Sequence, residues 1–177
     1  MNETLQKNAM NTGTDEIHDA SNTDGKLALK EGYCYLLEEK QPLKAYDYFR
    51  NAINSGARCL CVTRDPPHKL KGKYSLPENN CIWLSNIPSD QTIQPKNLEN
   101  VLVSIDEFIS KDEGSLVLID CIEYLITNNN FNAIIKLLQS IKDKVALQKA
   151  TLLISTDPGT LDSQNINHLR DEMDEVL

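Results

Sequence analysis

The stretch Leu116-Val117-Leu118-Ile119-Asp120 decides the fold class of this chain. Four consecutive apolar residues end in an acid, and Gly114 stands just before the run. A strand without polar alternation is typical of a parallel sheet covered by helices on both faces, because neither face of such a strand meets water. The stretch therefore predicts a buried parallel strand with a carboxylate at its carboxyl end.

Four further apolar runs predict strands of the same kind, at residues 33–37, 59–63, 81–84 and 152–154. Longer stretches with apolar residues at helical spacing separate them, and Asn130 is a predicted cap of the helix that begins near Phe131. Alternating strands and helices indicate an α/β fold with a mostly parallel sheet of about five strands and helices on both faces. Residues 1–26 are polar and lack a sustained apolar period, so we expect a disordered arm there and a single domain over residues 27–177.

Composition and charge narrow the classes of function. The chain has 177 residues and a net charge of −8, of which residues 1–26 contribute −3 and residues 171–177 contribute −4. Such a chain lacks the cationic surface that nucleic acids or anionic lipids require, and no apolar run approaches the ~20 residues of a membrane helix. The odd count of five cysteines is typical of a reduced protein. We therefore expect a cytoplasmic protein that binds neither nucleic acid nor membrane, with its acidic ends available to a basic partner.

The carboxyl ends of parallel strands form the ligand crevice of an α/β sheet. The residues at these ends are Glu38, Glu39, Arg64, Asp65, Ser85, Asp120, Ser155 and Asp157. The run that ends in Asp120 has the form of a Walker B strand, whose acid helps to hold Mg²⁺ in nucleotide hydrolases. The alternative is that Asp120 only caps the segment that follows the strand.

A phosphate loop after the first strand would distinguish these two roles. Such a loop needs Gly-x-x-x-x-Gly-Lys-Ser/Thr, so that bare backbone N–H groups can surround the phosphates. In the best register Glu38 replaces the first glycine, Leu43 the second and Ala45 the hydroxyl residue, and only Lys44 matches. Glu38 and Glu39 would also repel a triphosphate. The sequence therefore argues against ordinary P-loop binding of ATP.

Other side chains point to weaker candidate sites. Residues 64–73 predict a basic loop with four cations, either solvated or forming a modest anion site in which Arg64 is the best candidate. The cysteines lie in or beside apolar strands, which is typical of buried structural thiols. His, Cys and acidic residues do not occur at zinc-ligand spacing, and the sequence contains no Gly-x-Ser-x-Gly elbow. We predict neither a metal site nor a catalytic residue from these patterns.

Several segments together resemble the archaeal "domain of unknown function 835" family over about residues 30–172. They are Gly32-Tyr33-Cys34-Tyr35-Leu36-Leu37-Glu38, Cys61-Val62-Thr63-Arg64-Asp65-Pro66-Pro67, Trp83-Leu84-Ser85, Leu118-Ile119-Asp120-Cys121-Ile122-Glu123-Tyr124-Leu125-Ile126 and Asn130-Phe131. Cys121 departs from the family, where a glycine is expected after the acid. The family is similar to KaiC-like and RecA-like ATPases that lack the phosphate loop, and to sensory domains of archaeal signalling proteins.

The resemblance implies a pseudo-ATPase fold that is retained for binding or regulation. In KaiC-like enzymes an acidic pair follows the second strand, and Arg64-Asp65 stands at that place here, so one acid has become a cation. From the resemblance and the dismantled phosphate loop we expect a non-catalytic signalling or protein-interaction module without a cofactor. Its crevice would be lined by Arg64, Asp65, Asp120 and Glu123 and would bind a small anionic ligand or a protein partner of the sensory or kinase type.

Two alternatives stay open at this point. The chain could be a nucleotide-binding protein or ATPase with a rearranged site, in which Lys44 or Arg64 binds phosphate and Asp120 binds Mg²⁺. It could also be a scaffold that forms homo-oligomers, since RecA-like domains often assemble.

Overall fold

The structure is a computed structural model that describes residues 28–77 and 81–177. Its strands are β1 (Cys34–Glu38), β2 (Cys59–Thr63), β3 (Cys81–Leu84), β4 (Thr92–Ile93), β5 (Leu116–Ile119), β6 (Thr151–Thr156) and β7 (Glu175–Val176). Its helices are α1 (Leu43–Asn54), α2 (Pro67–Tyr74), α3 (Leu98–Ile109), α4 (Ile122–Asn128), α5 (Phe131–Leu147) and α6 (Ser163–Glu172). The predicted arm over residues 1–26 lies outside the described residues.

The strands form one sheet in the order β4-β3-β2-β5-β6-β1-β7, and every neighbouring pair is parallel. This confirms the α/β class, with seven strands in the described residues rather than about five. The two additional strands, β4 and β7, have two residues each and lie at the edges of the sheet. A strand of two residues is too short to form the apolar run from which the sequence predicts a strand. β5 lies at the centre of the sheet with all four residues buried, as its sequence predicts.

Two apolar layers cover the faces of the sheet. Side chains alternate along each strand, so Leu36 of β1 and Val117 of β5 pack with α3, α4, α5 and α6 on one face. Tyr35 and Leu118 pack with α1 and α2 on the opposite face. The prediction that helices cover both faces is therefore confirmed. No helix within residues 28–77 and 81–177 is long and apolar enough to cross a membrane.

The prediction of a loop over residues 64–73 is wrong, because helix α2 occupies most of it. Pro67 stands in the first turn of α2, where a residue without an N–H group is tolerated. Leu70 and Tyr74 lie four residues apart and are buried against the sheet, which holds the helix in place. The lysines between them stay exposed on the outer side of α2.

Candidate functional site

The carboxyl ends of β1, β2, β5 and β6 bring the candidate site together at one edge of the sheet. Two clefts open there. We call the first the acidic cleft; it has a volume of about 270 Å³ and is bordered by Glu39, Glu123 and Asp157 among others. We call the second the arginine cleft; it has a volume of about 480 Å³ and is bordered by Arg64 and Tyr124. Asp120 and Glu123 border both clefts, so the two form neighbouring parts of one crevice.

Asp120 follows β5 and is held by side chains from two other elements. Its Oδ2 accepts hydrogen bonds from the hydroxyl of Tyr46 on α1 and from Thr63 Oγ1 at the end of β2, the latter at 3.1 Å. Its Oδ1 is buried and has no hydrogen-bond partner among the described residues. Burial raises the pKa of Asp120 from an ordinary value of 3.8 to about 6, and these two hydrogen bonds oppose the shift. The N-cap of α4 is Cys121, so Asp120 does not cap this helix.

Tyr46 acts as a fixed hydrogen-bond donor to Asp120. Its ring is fully buried, stacks on Tyr74 with centroids 3.7 Å apart, and places the hydroxyl 3.4 Å from Cys61 Sγ. Burial raises the pKa of the Tyr46 hydroxyl, so the group stays protonated. Burial likewise raises the pKa of the Cys61 and Cys121 thiols well above the ordinary value, which fits buried thiols without nucleophilic character.

Glu39 occupies the position at which a phosphate loop would hold its ligand. Its Oε2 accepts the backbone N–H of Lys44 at 2.8 Å, and its Oε1 accepts that of Ala45 at 3.1 Å. Ser155 Oγ at the end of β6 donates to the same Oε1 at 2.9 Å. The first N–H groups of a helix attract anions because they have no partner within the helix. In α1 the chain's own carboxylate binds them.

Glu123 joins α4 to the loop after β6. Its Oε1 accepts from Thr156 Oγ1 and from the backbone N–H of Asp157, both at 2.8 Å. Asp157 in turn accepts the N–H of Gly159 at 2.9 Å, which shapes the short 3-10 turn at Pro158–Thr160. These bonds position two carboxylates on the wall of the acidic cleft.

Arg64 borders the arginine cleft from the end of β2. Its guanidinium lies over the ring of Tyr124, 4.7 Å from the centroid, and its carbonyl oxygen accepts the indole N–H of Trp83 at 3.0 Å. The side chain is exposed at the crevice, and the stacking holds its charge in the arginine cleft.

The five residues predicted for the site have different positions. Arg64, Asp120 and Glu123 border the crevice. Asp65 follows β2, where its backbone N–H donates to Thr63 Oγ1 at 3.0 Å, and it borders neither cleft. Lys44 is exposed on α1 and also borders neither cleft. A binding role for any of the five stays a prediction.

The sequence prediction left out two residues that shape the acidic cleft. They are Glu39 and Asp157, and their position directly after β1 and β6 is the sequence signal that identifies them. In the described part of the chain, no group of three His, Cys, Asp or Glu side chains is arranged to hold a metal ion. The crevice thus offers hydrogen-bond acceptors and negative charge on one side and a stacked guanidinium on the other.

Comparisons with known proteins agree with this fold. The model of the family described as "Protein of unknown function (DUF835)" matches residues 38–173. No curated protein matches the chain. Among solved structures, the chain is similar to the flagellar accessory protein FlaH from Methanocaldococcus jannaschii, with 18% sequence identity and a TM-score of 0.56 over 84% of this chain and 71% of that chain. At that identity the likeness shows the fold alone, and FlaH has a RecA-like fold.

Proposed function

This chain belongs to the DUF835 family of proteins of unknown function, and we propose that it is a non-catalytic signalling or protein-interaction module of the cytoplasm, built on a degenerate RecA/KaiC-like fold. One observation carries the proposal: the carboxylate of Glu39 binds the first N–H groups of α1. A phosphate group needs those same donors.

The surroundings of Glu39 favour the same conclusion. Ser155 donates to the carboxylate, so displacing Glu39 would break three hydrogen bonds at once. Hydrogen bonds to a charged group contribute about 1.5–3 kcal/mol each when they are buried, and less at a partly exposed site such as this one. A nucleotide would also place its phosphates near Glu123 and Asp157, whose charges repel them.

Nucleotide binding and turnover test the non-catalytic part of the proposal. We expect millimolar ATP·Mg²⁺ to leave the melting temperature unchanged, whereas a ligand at 100 times its Kd would stabilise the native state by about 2.7 kcal/mol. We also expect no ATP hydrolysis above the buffer rate. Hydrolysis that disappears in Asp120→Ala would overturn the proposal.

A nucleotide binder or ATPase with a rearranged phosphate site is the second candidate. One observation favours it: Arg64 and Asp120 border the same arginine cleft, so a phosphate on Arg64 and Mg²⁺ on Asp120 would be neighbours there. Under this hypothesis ATP·Mg²⁺ raises the melting temperature, and Arg64→Gln abolishes the increase while Lys44→Gln does not, since Lys44 lies outside the cleft.

Partner capture tests the interaction part of the proposal. The full chain and a chain without residues 1–26 serve as matched baits in native lysate. We expect a sensory or kinase-type protein to be recovered. Recovery of the bait alone from both, together with a stable homo-oligomer in light scattering, would instead support the scaffold hypothesis.

A further inference from the structure

The acidic cleft has the opposite polarity to a phosphate site. Among the described residues, four carboxylates border it, from Glu39, Asp120, Glu123 and Asp157, and Lys40 is the one cation there. Arg64 borders the neighbouring arginine cleft, where its guanidinium is stacked on Tyr124. The charge of the wall therefore favours a cationic ligand.

Several oxygens of this wall lack a hydrogen-bond donor. Oδ1 of Asp120 is buried and has no partner in the described part of the chain, which is costly for a carboxylate. Both hydrogen bonds to Glu123 use Oε1, so Oε2 has no donor among the described residues. Asp157 accepts through Oδ1 alone within the same residues. The carboxylate of Glu39, by contrast, is already bound by α1 and Ser155. The cleft thus presents three carboxylates that can still accept.

The arrangement of these carboxylates indicates which kind of cation the cleft can bind, a metal ion or a guanidinium group. A metal ion draws its oxygen ligands into one shell at 2.0–2.6 Å. No group of three acidic, His or Cys side chains in the described part of the chain has that arrangement. A guanidinium is planar and carries five N–H donors, so it bonds to carboxylates that lie farther apart.

We propose that the acidic cleft binds the guanidinium group of an arginine side chain carried by a basic segment of a partner protein. The inference rests on the proposed function, because it supplies the chemistry of the partner for an interaction module whose crevice does not take nucleotide. The donors would reach Asp120, Glu123 and Asp157, and the acidic residues 171–177 would attract further basic residues of the same segment.

The test uses the full chain labelled with ¹⁵N and the capped peptide acetyl-Ala-Ala-Arg-Ala-Ala-amide. The same peptide with citrulline in place of arginine removes the charge and keeps the shape, and a lysine peptide replaces the guanidinium by an ammonium. We expect the arginine peptide to shift amide signals of residues 120–127 and 155–160, and the citrulline and lysine peptides to bind at least about fivefold more weakly.

Matched variants locate the binding. Glu123→Gln keeps an amide oxygen to accept from Thr156 and Asp157, and Asp157→Asn is a second variant in case the first unfolds. We expect each variant to bind the arginine peptide at least about fivefold more weakly than the wild type. The control is Glu113→Gln, which removes an exposed charge paired with Lys149 outside both clefts. We expect it to leave the affinity unchanged.

Three results would overturn the inference. If Glu123→Gln and Glu113→Gln weakened peptide binding equally, the binding would depend only on the net charge of the protein. If the lysine or citrulline peptide bound as tightly as the arginine peptide, the cleft would not be specific for a guanidinium group. Mg²⁺ alone, if it produced the same shifts and displaced the peptide, would make the cleft a metal site. None of these results depends on whether ATP binds, so the inference and the proposed function fail separately.

Discussion

Replacement of Asp120 by asparagine is expected to stabilise the protein at pH 7. Burial raises the pKa of Asp120 to about 6 from an ordinary value of 3.8, so the native state prefers the protonated acid. A difference of about two pKa units corresponds to about 3 kcal/mol that ionisation of Asp120 costs the native state above pH 6. Asparagine resembles the protonated acid: its amide oxygen can accept from Tyr46 and Thr63, and its NH₂ group lies where Oδ1 now has no partner.

The sign of the pH dependence follows from the same shift. Between pH 4 and pH 6 the native state binds more protons at Asp120 than the unfolded state does, so the free energy of unfolding decreases as pH rises through this window. Below pH 4 both states are protonated, and the variant and the wild type should have similar stability. Above pH 6 the variant should be more stable by up to about 3 kcal/mol.

Urea unfolding of both proteins at pH 4, 5, 6 and 7 measures this difference directly. The matched control is Asp112→Asn, which removes an exposed carboxylate paired with Arg58 and should change the free energy of unfolding by at most about 1 kcal/mol. An Asp120→Asn variant that is less stable than the wild type at pH 7 would refute the reasoning. That result would mean that the hydrogen bonds from Tyr46 and Thr63 stabilise the charged form by more than burial destabilises it.

Four further substitutions test the packing and the capping. Glu39→Ala should lower the free energy of unfolding by about 1–2 kcal/mol in chemical denaturation, because it leaves the first N–H groups of α1 without their carboxylate. An unchanged free energy of unfolding would remove the main support for the idea that Glu39 occupies the phosphate position. Phe49→Ala should cost about 3–5 kcal/mol in the same assay because Phe49 is fully buried, whereas Leu147→Ala, at a side chain that is 77% exposed, should change it by less than about 0.5 kcal/mol. Ser75→Gly should raise the melting temperature, with a gain of up to about 1 kcal/mol, because Ser75 ends α2 with a φ of 56° that glycine adopts without strain; a lower melting temperature would contradict this.

Local patterns account for much of the fold. The apolar run of β5 is buried throughout, and the side chain of Asn130 accepts from Ala133 at the start of α5, as its sequence position predicts. The prediction failed where a local signal had two meanings. The cations of residues 64–73 indicate a solvated loop, yet they are equally compatible with the exposed side of a helix whose first turn contains Pro67.

Local sequence patterns are enough to predict the fold class, because a strand buried on both faces must be apolar at every position, and the residues after β1 argue against an ordinary phosphate loop. The tertiary structure decided the strand order and the clefts, since any of these apolar strands could have paired with any other. Contacts between distant residues are set by that order: Tyr46 and Thr63 reach Asp120 only because β2 lies beside β5 and α1 covers the same face. The acidic cleft has the same origin, because its carboxylates follow strands that are far apart in sequence and meet only when β1, β5 and β6 lie side by side.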